Sequence, residues 1–173
     1  YNMSFVFRVE GLLDLPRLQS ALQGLCERHE VLRTAFVEED GQVWQVVREG
    51  VSPEFLSHRL DAEAFDEVLE HFRRDAVREF ALDRAPLLRM RVCELGGQCS
   101  FLSLVMHHII GDGWSMQLFF GELLALYAGK GATLPALPVQ YRDYAVWQQG
   151  RDWQAEAEYW RETLKGAPER IAL

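Results

Sequence analysis

Long apolar runs are missing from this chain. No stretch approaches the ~18 consecutive apolar residues of a membrane helix, so no membrane association is expected. Basic charge is also in deficit. The 26 acids outnumber 18 Lys and Arg, leaving a formal charge of −8, and the bases are scattered apart from Arg73-Arg74, which sit among acids. Without a basic stripe to meet a phosphate backbone, nucleic acid is not the expected partner. Cysteine is scarce. Cys26, Cys93 and Cys99 are odd in number and lack CxxC spacing. All three fall in apolar-periodic segments and read as small buried thiols in a reducing, cytoplasmic setting. The start, Tyr1-Asn2-Met3-Ser4-Phe5, has no basic region, no long apolar stretch and no initiator Met. It is therefore not expected to be a signal peptide, and the chain is expected to be cut from something longer. A GxSxG elbow is absent and no cysteine adjoins the paired histidines, so the chain offers no convincing nucleophile of its own.

What is present is enough for one domain with a real core: 173 residues, 49% of them apolar. Phe5, Phe7 and Val9 alternate as in a strand. Asp14 precedes Leu15-Pro16 as an N-cap before a first-turn proline, and Leu15, Leu18, Leu22 and Leu25 recur at helical spacing to about Arg28 or His29. Arg33 to Val47 reads as a hairpin turning at Asp40-Gly41. Val51 to His58 reads as loop, with Pro53 as a breaker. Asp61 is expected to cap a helix reaching about Phe80, with Phe65, Val68, Leu69, Phe72 and Ala76 on its apolar side. A second hairpin pairs Leu87–Leu95 with Cys99–His108 through Gly96-Gly97. A helix from about Trp114 to Tyr127 stops at Gly129-Lys130-Gly131. Leu134 to Pro138 is a connector, and one last aromatic-rich helix runs from about Tyr141 to Leu164. This order predicts an α+β fold, an α/β sandwich with a mixed or antiparallel sheet.

The segment that speaks to chemistry is Met106-His107-His108-Ile109-Ile110-Gly111-Asp112-Gly113-Trp114-Ser115. If the strand stays regular to its end, His107 shares a face with Phe101, Ser103 and Val105, while His108 shares the other with Leu102, Leu104 and Met106. The two imidazoles then diverge and are poorly placed to hold one metal. One braces the loop and the other faces a cleft, and periodicity does not say which. Asp112 either caps the following helix or pairs with an arginine. Gly113 permits close backbone approach or positive φ, and Ser115 caps as well or donates into the cleft. An imidazole with a pKa near ~6.5 works as a base at neutral pH, and the nucleophile is then the acceptor substrate itself. His29 lies in an HExxR sequence that lacks the second His of a zinc HExxH helix, and reads as a helix end with a basic last turn. His58 and His71 read as surface residues without a role.

Three motifs, in order, carry a resemblance to a known family. Arg28-His29-Glu30-Val31-Leu32-Arg33-Thr34-Ala35-Phe36 matches RHExLRTxF, residues 106–115 match MHHxxxDGWS, and Tyr141-Arg142-Asp143-Tyr144-Ala145-Val146-Trp147-Gln148 matches YxDYAxWQ. The chain resembles a condensation domain of non-ribosomal peptide synthetases, in the chloramphenicol-acetyltransferase-like superfamily. The resemblance covers almost all of residues 1–173. It lacks an opening motif and stops about where a second lobe begins, so it is similar to the N-terminal lobe alone. The resemblance implies two lobes with a tunnel between them, reached by donor and acceptor peptidyl carrier proteins whose 4'-phosphopantetheine arms carry the thioesters, with a neighbouring adenylation domain. No cofactor or metal is implied to bind the chain directly. By this similarity His108 is catalytic, either deprotonating the acceptor amine or orienting it and stabilising the tetrahedral intermediate. His107 is a brace, Asp112 is salt-bridged to an arginine, Gly113 lines the tunnel, and Arg28 and Arg33 support the site. Rival readings are a non-catalytic lobe that binds a carrier protein or the missing lobe, an epimerisation domain, and a free-standing ester-forming acyltransferase. Trp114-Ser115 fits condensation better than epimerisation.

Overall fold

In chain order, the computed structural model contains β1 (Asn2–Glu10), α1 (Leu15–Arg28), β2 (Thr34–Glu39), β3 (Gln42–Val47), β4 (Glu54–Leu60), α2 (Phe65–Val77), β5 (Leu88–Leu95), β6 (Cys99–His107), α3 (Gly113–Tyr127), α4 (Tyr141–Gln149) and α5 (Gln154–Thr163). Short 3-10 turns span Glu30–Arg33, His108–Ile110 and Gly131–Thr133. The residues described are 1–61, 63–97 and 99–168. Two units divide the chain, Tyr1–Gln140 and Tyr141–Leu173.

The first unit is built on a four-stranded sheet in the order β1-β6-β5-β4. β6 pairs antiparallel with both β1 and β5, and β4 runs parallel to β5. β5 and β6 are the inner strands, with helices on both faces; β6 accordingly reads as a nearly continuous apolar run, whereas β5 alternates Leu88, Met90 and Val92 with Arg89 and Arg91. One face carries Leu88, Met90 and Val92 opposite Met106, Leu104 and Leu102. These pack against Leu18, Leu22 and Leu25 of α1 and Met116, Phe119 and Leu123 of α3. Full burial of each such side chain contributes about 1.5–3 kcal/mol, so this layer is the main stabiliser. On the other face α2 sets Val68 and Phe72 against Cys93 and Phe101. Helix, sheet and helix thus form three layers, the expected α+β sandwich.

α1 is as its residues predict. Asp14 accepts the Arg17 N–H at 3.0 Å, and Pro16 lies in the first turn, where its missing N–H costs nothing. The β2–β3 hairpin turns through Asp40 at φ 53° and Gly41 at φ 76°, the positive pair that a two-residue turn needs. It forms a separate two-stranded sheet.

Four expectations need correction. Residues 54–60 are a strand, not a loop. The segment is polar because it is an edge strand, held by its ladder to β5, and Pro53 sits just outside it. α2 begins after Ala64, which makes no side-chain cap, rather than at Asp61, and ends at Val77 rather than near Phe80. Its end is set from β1: Asn2 Nδ2 donates to the carbonyls of Ala76 and Arg78, both at 2.9 Å. The last helix is two helices, broken around Gly150, with Asp152 Oδ1 accepting the Gln154 N–H at 2.9 Å. Finally, His58 and His71 are not idle surface residues. Their rings stack at 4.6 Å, and His58 Nε2 accepts from Arg91, whose guanidinium also grips the buried Asp75 carboxylate.

In the second unit Tyr141, Tyr144 and Trp147 form a stair of rings along α4, with centroids 5.9 and 5.5 Å apart. Arg151 lies over the rings of Trp147 and Trp153.

Candidate active site

The paired histidines fall where β6 ends. His107 is its last residue: its N–H donates to the Leu87 carbonyl at 2.9 Å, and it lies opposite Asn2 in the register. His108 already belongs to the 3-10 turn, so the strict alternation expected of the two side chains stops one residue early. The cause is local. His107 Nδ1 accepts the Ile109 N–H at 3.1 Å, and this side-chain cap turns the backbone at His108. The His107 ring is half-buried beside Tyr1 and Phe80, and burial holds its pKa below the ordinary value, favouring the neutral form that the Nδ1 bond requires. His108 is exposed, and its backbone N–H is fixed on the Tyr1 carbonyl at 2.9 Å. The first histidine is thus a cap and the second presents its ring to solvent.

Asp112 closes the loop. Its Oδ1 accepts the Ser115 N–H at 2.9 Å and the Ser115 hydroxyl at 2.7 Å, while the Asp112 N–H donates to Ser115 Oγ at 3.2 Å. This is a reciprocal capping box at the start of α3. Bonds from the Ser115 backbone and hydroxyl hold the Asp112 carboxyl below its usual range. Of the two roles open to Asp112, the structure uses the cap. The implied arginine partner is not found: among the described residues Asp112 makes no ion pair. Gly113 does not need positive φ, and a Cβ there would meet nothing within 4 Å. The crowded glycine is Gly111, where a Cβ would lie 3.4 Å from Met106 Sδ and from Ser115 Cβ.

Arg28 and Arg33 go elsewhere. Arg28 Nε donates to Glu122 Oε2 at 2.9 Å, and its Nη2 reaches the Pro135 carbonyl. His29 Nε2 lies 2.6 Å from the same Glu122 oxygen. Burial alone raises the Glu122 pKa, but the bonds and charges of Arg28 and His29 outweigh it and leave the carboxyl below its usual value. Glu122 therefore ties the end of α1 to α3, two turns beyond Ser115. Gln140 clasps the same segment, accepting the Glu30 N–H at 3.1 Å and donating to the Arg28 carbonyl at 3.0 Å. Arg33 instead serves the hairpin, reaching Glu49 at 2.6 Å and the Arg48 carbonyl at 3.3 Å. Glu122 was missed from sequence, although it is the lone charged residue of α3, a signal that could have found it. Between these parts lies a small pocket of about 120 Å³ walled by His29, Leu32, Met106, Gly111, Ser115 and Phe119 among others.

The cysteines offer no rival chemistry near the loop. Burial pushes the Cys26 thiol up to about 12 and the Cys93 thiol up to about 11, far from thiolate at neutral pH. Cys99 is only half-buried, contrary to expectation, but starts β6 at the end opposite the histidines.

The sequence profile of the Condensation domain family matches residues 1–173. The chain belongs to the condensation domain family. It is 40% identical over 170 residues to bacitracin synthase 3 of Bacillus licheniformis, covering 96% of this chain and 3% of that synthase. It is likewise 40% identical over 169 residues to tyrocidine synthase 3 of Brevibacillus parabrevis, covering 95% of this chain and 2% of that protein. The chain thus spans a small fraction of the length of these relatives. Among solved structures, the X-domain from teicoplanin biosynthesis superposes with a TM-score of 0.85 at 28% identity, covering 99% of this chain and 40% of that one. The architecture of this condensation domain chain is the chloramphenicol-acetyltransferase-like α+β fold. Among the described residues, no helix is long and apolar enough to cross a membrane.

Proposed function

We propose that this chain is the N-terminal lobe of a condensation domain that forms amide bonds in non-ribosomal peptide synthesis, with His108 as its catalytic residue. The observation that carries the reading is the division of labour at the end of β6. His107 spends its Nδ1 on the turn, Asp112 and Ser115 lock the far side of the loop, and His108 is left exposed with its backbone fixed. In the reaction the α-amine of a carrier-bound aminoacyl acceptor attacks the carbonyl of a carrier-bound acyl or peptidyl thioester. A C–N bond forms, the C–S bond breaks, the nitrogen loses a proton, and the departing phosphopantetheine sulfur ends as a thiol. His108 takes that proton, or orients the amine and stabilises the tetrahedral oxyanion. The partners are then donor and acceptor peptidyl carrier proteins, a C-terminal lobe that completes the tunnel, and a neighbouring adenylation domain. The lobe by itself is inactive in this reading, and it holds no cofactor of its own: the 4'-phosphopantetheine arms belong to the carriers.

Replacement of His108 by Ala in the full-length synthetase tests the assignment. Product formation is expected to fall by at least about a hundredfold while aminoacyl loading of the carriers is unchanged. Near-normal peptide formation would sink it.

A further inference from the structure

Arg89 is a buried cation with an unusual set of partners. It is 4% exposed, on the sheet face covered by α2. Its neighbours have taken the nearby carboxylates: Arg91 holds Asp75 and Arg78 holds Glu54. Arg89 instead donates Nη2 to the Arg78 carbonyl, leaves its Nε without a partner, and lays its guanidinium 3.8 Å over the Phe80 ring. Phe80 in turn stands edge-on to His107, at 86° and 6.4 Å between centroids. His107 Nδ1 accepts the Ile109 N–H. A buried donor without a partner is costly, and the site bears that cost while its cation fixes the plane of one aromatic ring.

We infer that Arg89 is a positioning residue for the condensation reaction, acting through Phe80 and His107 on the turn that presents His108. The inference rests on the reading of His108 as the catalytic group. The chemistry of the last link is specific. Nδ1 accepts from Ile109 only when it carries no proton, so the turn requires the neutral tautomer with its hydrogen on Nε2. A ring free to tilt or to change tautomer releases the Ile109 N–H, and His108 loses its fixed aim. Phe80 limits that freedom, and Arg89 holds Phe80 both by the cation over its face and by the bond to the carbonyl two residues before it. A misplaced catalytic group lowers turnover more than substrate binding.

The test uses Arg89→Met, Arg89→Lys, Phe80→Leu, the Phe80→Leu/Arg89→Met pair and His108→Ala in the full-length synthetase, with loaded carriers as substrates. Arg89→Met is expected to lower kcat about tenfold with KM for the acceptor carrier within about twofold, and Arg89→Lys to recover most of the loss. Phe80→Leu should match Arg89→Met, and the pair should be no slower than Phe80→Leu alone, because both act through one ring. In the 173-residue chain labelled with ¹⁵N-histidine and ¹⁵N-isoleucine, wild-type His107 should show the Nε2–H tautomer, and Arg89→Met should give mixed tautomers with a shifted Ile109 amide. If Arg89→Met fails to fold, Phe80→Leu gives the same reading. Normal kcat in both Arg89→Met and Phe80→Leu beside an inactive His108→Ala overturns this inference alone. So does a kcat loss that Lys does not rescue with an unchanged His107 tautomer. An active His108→Ala overturns the catalytic reading and this inference with it.

Discussion

At the residue scale, two side chains that look equivalent in sequence are made unequal by one hydrogen bond. His107 gives its Nδ1 to the Ile109 N–H, and that bond ends the strand before His108. Asp112 does comparable work on the other side through three contacts with Ser115. Asp112→Ala is therefore expected to lower the melting temperature and, with it, soluble yield, whereas Asp112→Asn keeps a carbonyl acceptor and most of the stability. Thermal melts of the two variants check this, and equal melting temperatures would contradict the capping role. Glu122 is a second residue whose loss has a defined cost. Glu122→Ala leaves Arg28 and His29 facing a void in a half-buried site and should cost about 2 kcal/mol in urea unfolding, with Glu122→Gln milder because it still accepts from Arg28.

At the element scale, α2 and β4 are joined to the sheet by a small apolar cluster and by a buried ion pair beside it. Among the described residues, the cluster under α2 is Val68, Phe72 and Cys93 with the partly buried Leu60, Leu95 and Phe101, and beside it Arg91 spans Asp75 and His58. Removing one partner of a buried pair strands the other charge. Asp75→Ala should therefore destabilise by about 3 kcal/mol. At roughly 2–4 °C per kcal/mol for a chain of this length, calorimetry should show a fall of about 6–12 °C. Replacing both partners by apolar residues, Asp75→Leu with Arg91→Met, should cost less than the single change. That ordering separates ion-pair stranding from simple loss of packing. The C-terminal limit of α2 has a long-range cause as well. The helix stops where Asn2 from β1 takes its last carbonyls, a contact 74 residues away in sequence.

At the scale of the whole molecule, acid should act in two stages. Burial depresses the pKa of His58, with Arg91 and His71 adding to it, and burial also depresses that of His107. A group whose folded pKa is lowered contributes full stability above its unfolded value and loses it as pH falls. The first loss should therefore begin below about pH 6.5. Glu122 and Asp112 are also depressed, so their contributions persist until pH falls below the ordinary carboxylate range near ~4 and then disappear. Urea midpoints measured from pH 8 to pH 3 should show both stages, and His58→Gln should flatten the first while leaving the second.

Much of this was legible in the chain because it depends on neighbours in sequence. Asp14 before Leu15-Pro16, the Asp40-Gly41 turn, the glycine-joined β5–β6 hairpin and the start of α3 at Asp112 are all local chemistry, and each is found where its residues predict. The motif loop was legible as a unit, with Asp112 and Ser115 only three residues apart. Everything that depends on distant partners was not. β4 is held as a strand by its ladder to β5, and His58 is half-buried where His71 of α2 stacks on it and Arg91 of β5 meets its Nε2. Arg28 pairs with Glu122 rather than with Asp112, and Phe80 and Arg89 carry no signal until the fold stacks them behind His107. Sequence by itself determined the caps, turns, apolar periodicities and the chemistry offered at residues 107–115, since these are set by bonds a few residues apart. Tertiary structure alone decided which charges meet and which imidazole is spent on the backbone, since those outcomes depend on burial and on side chains brought together from across the chain.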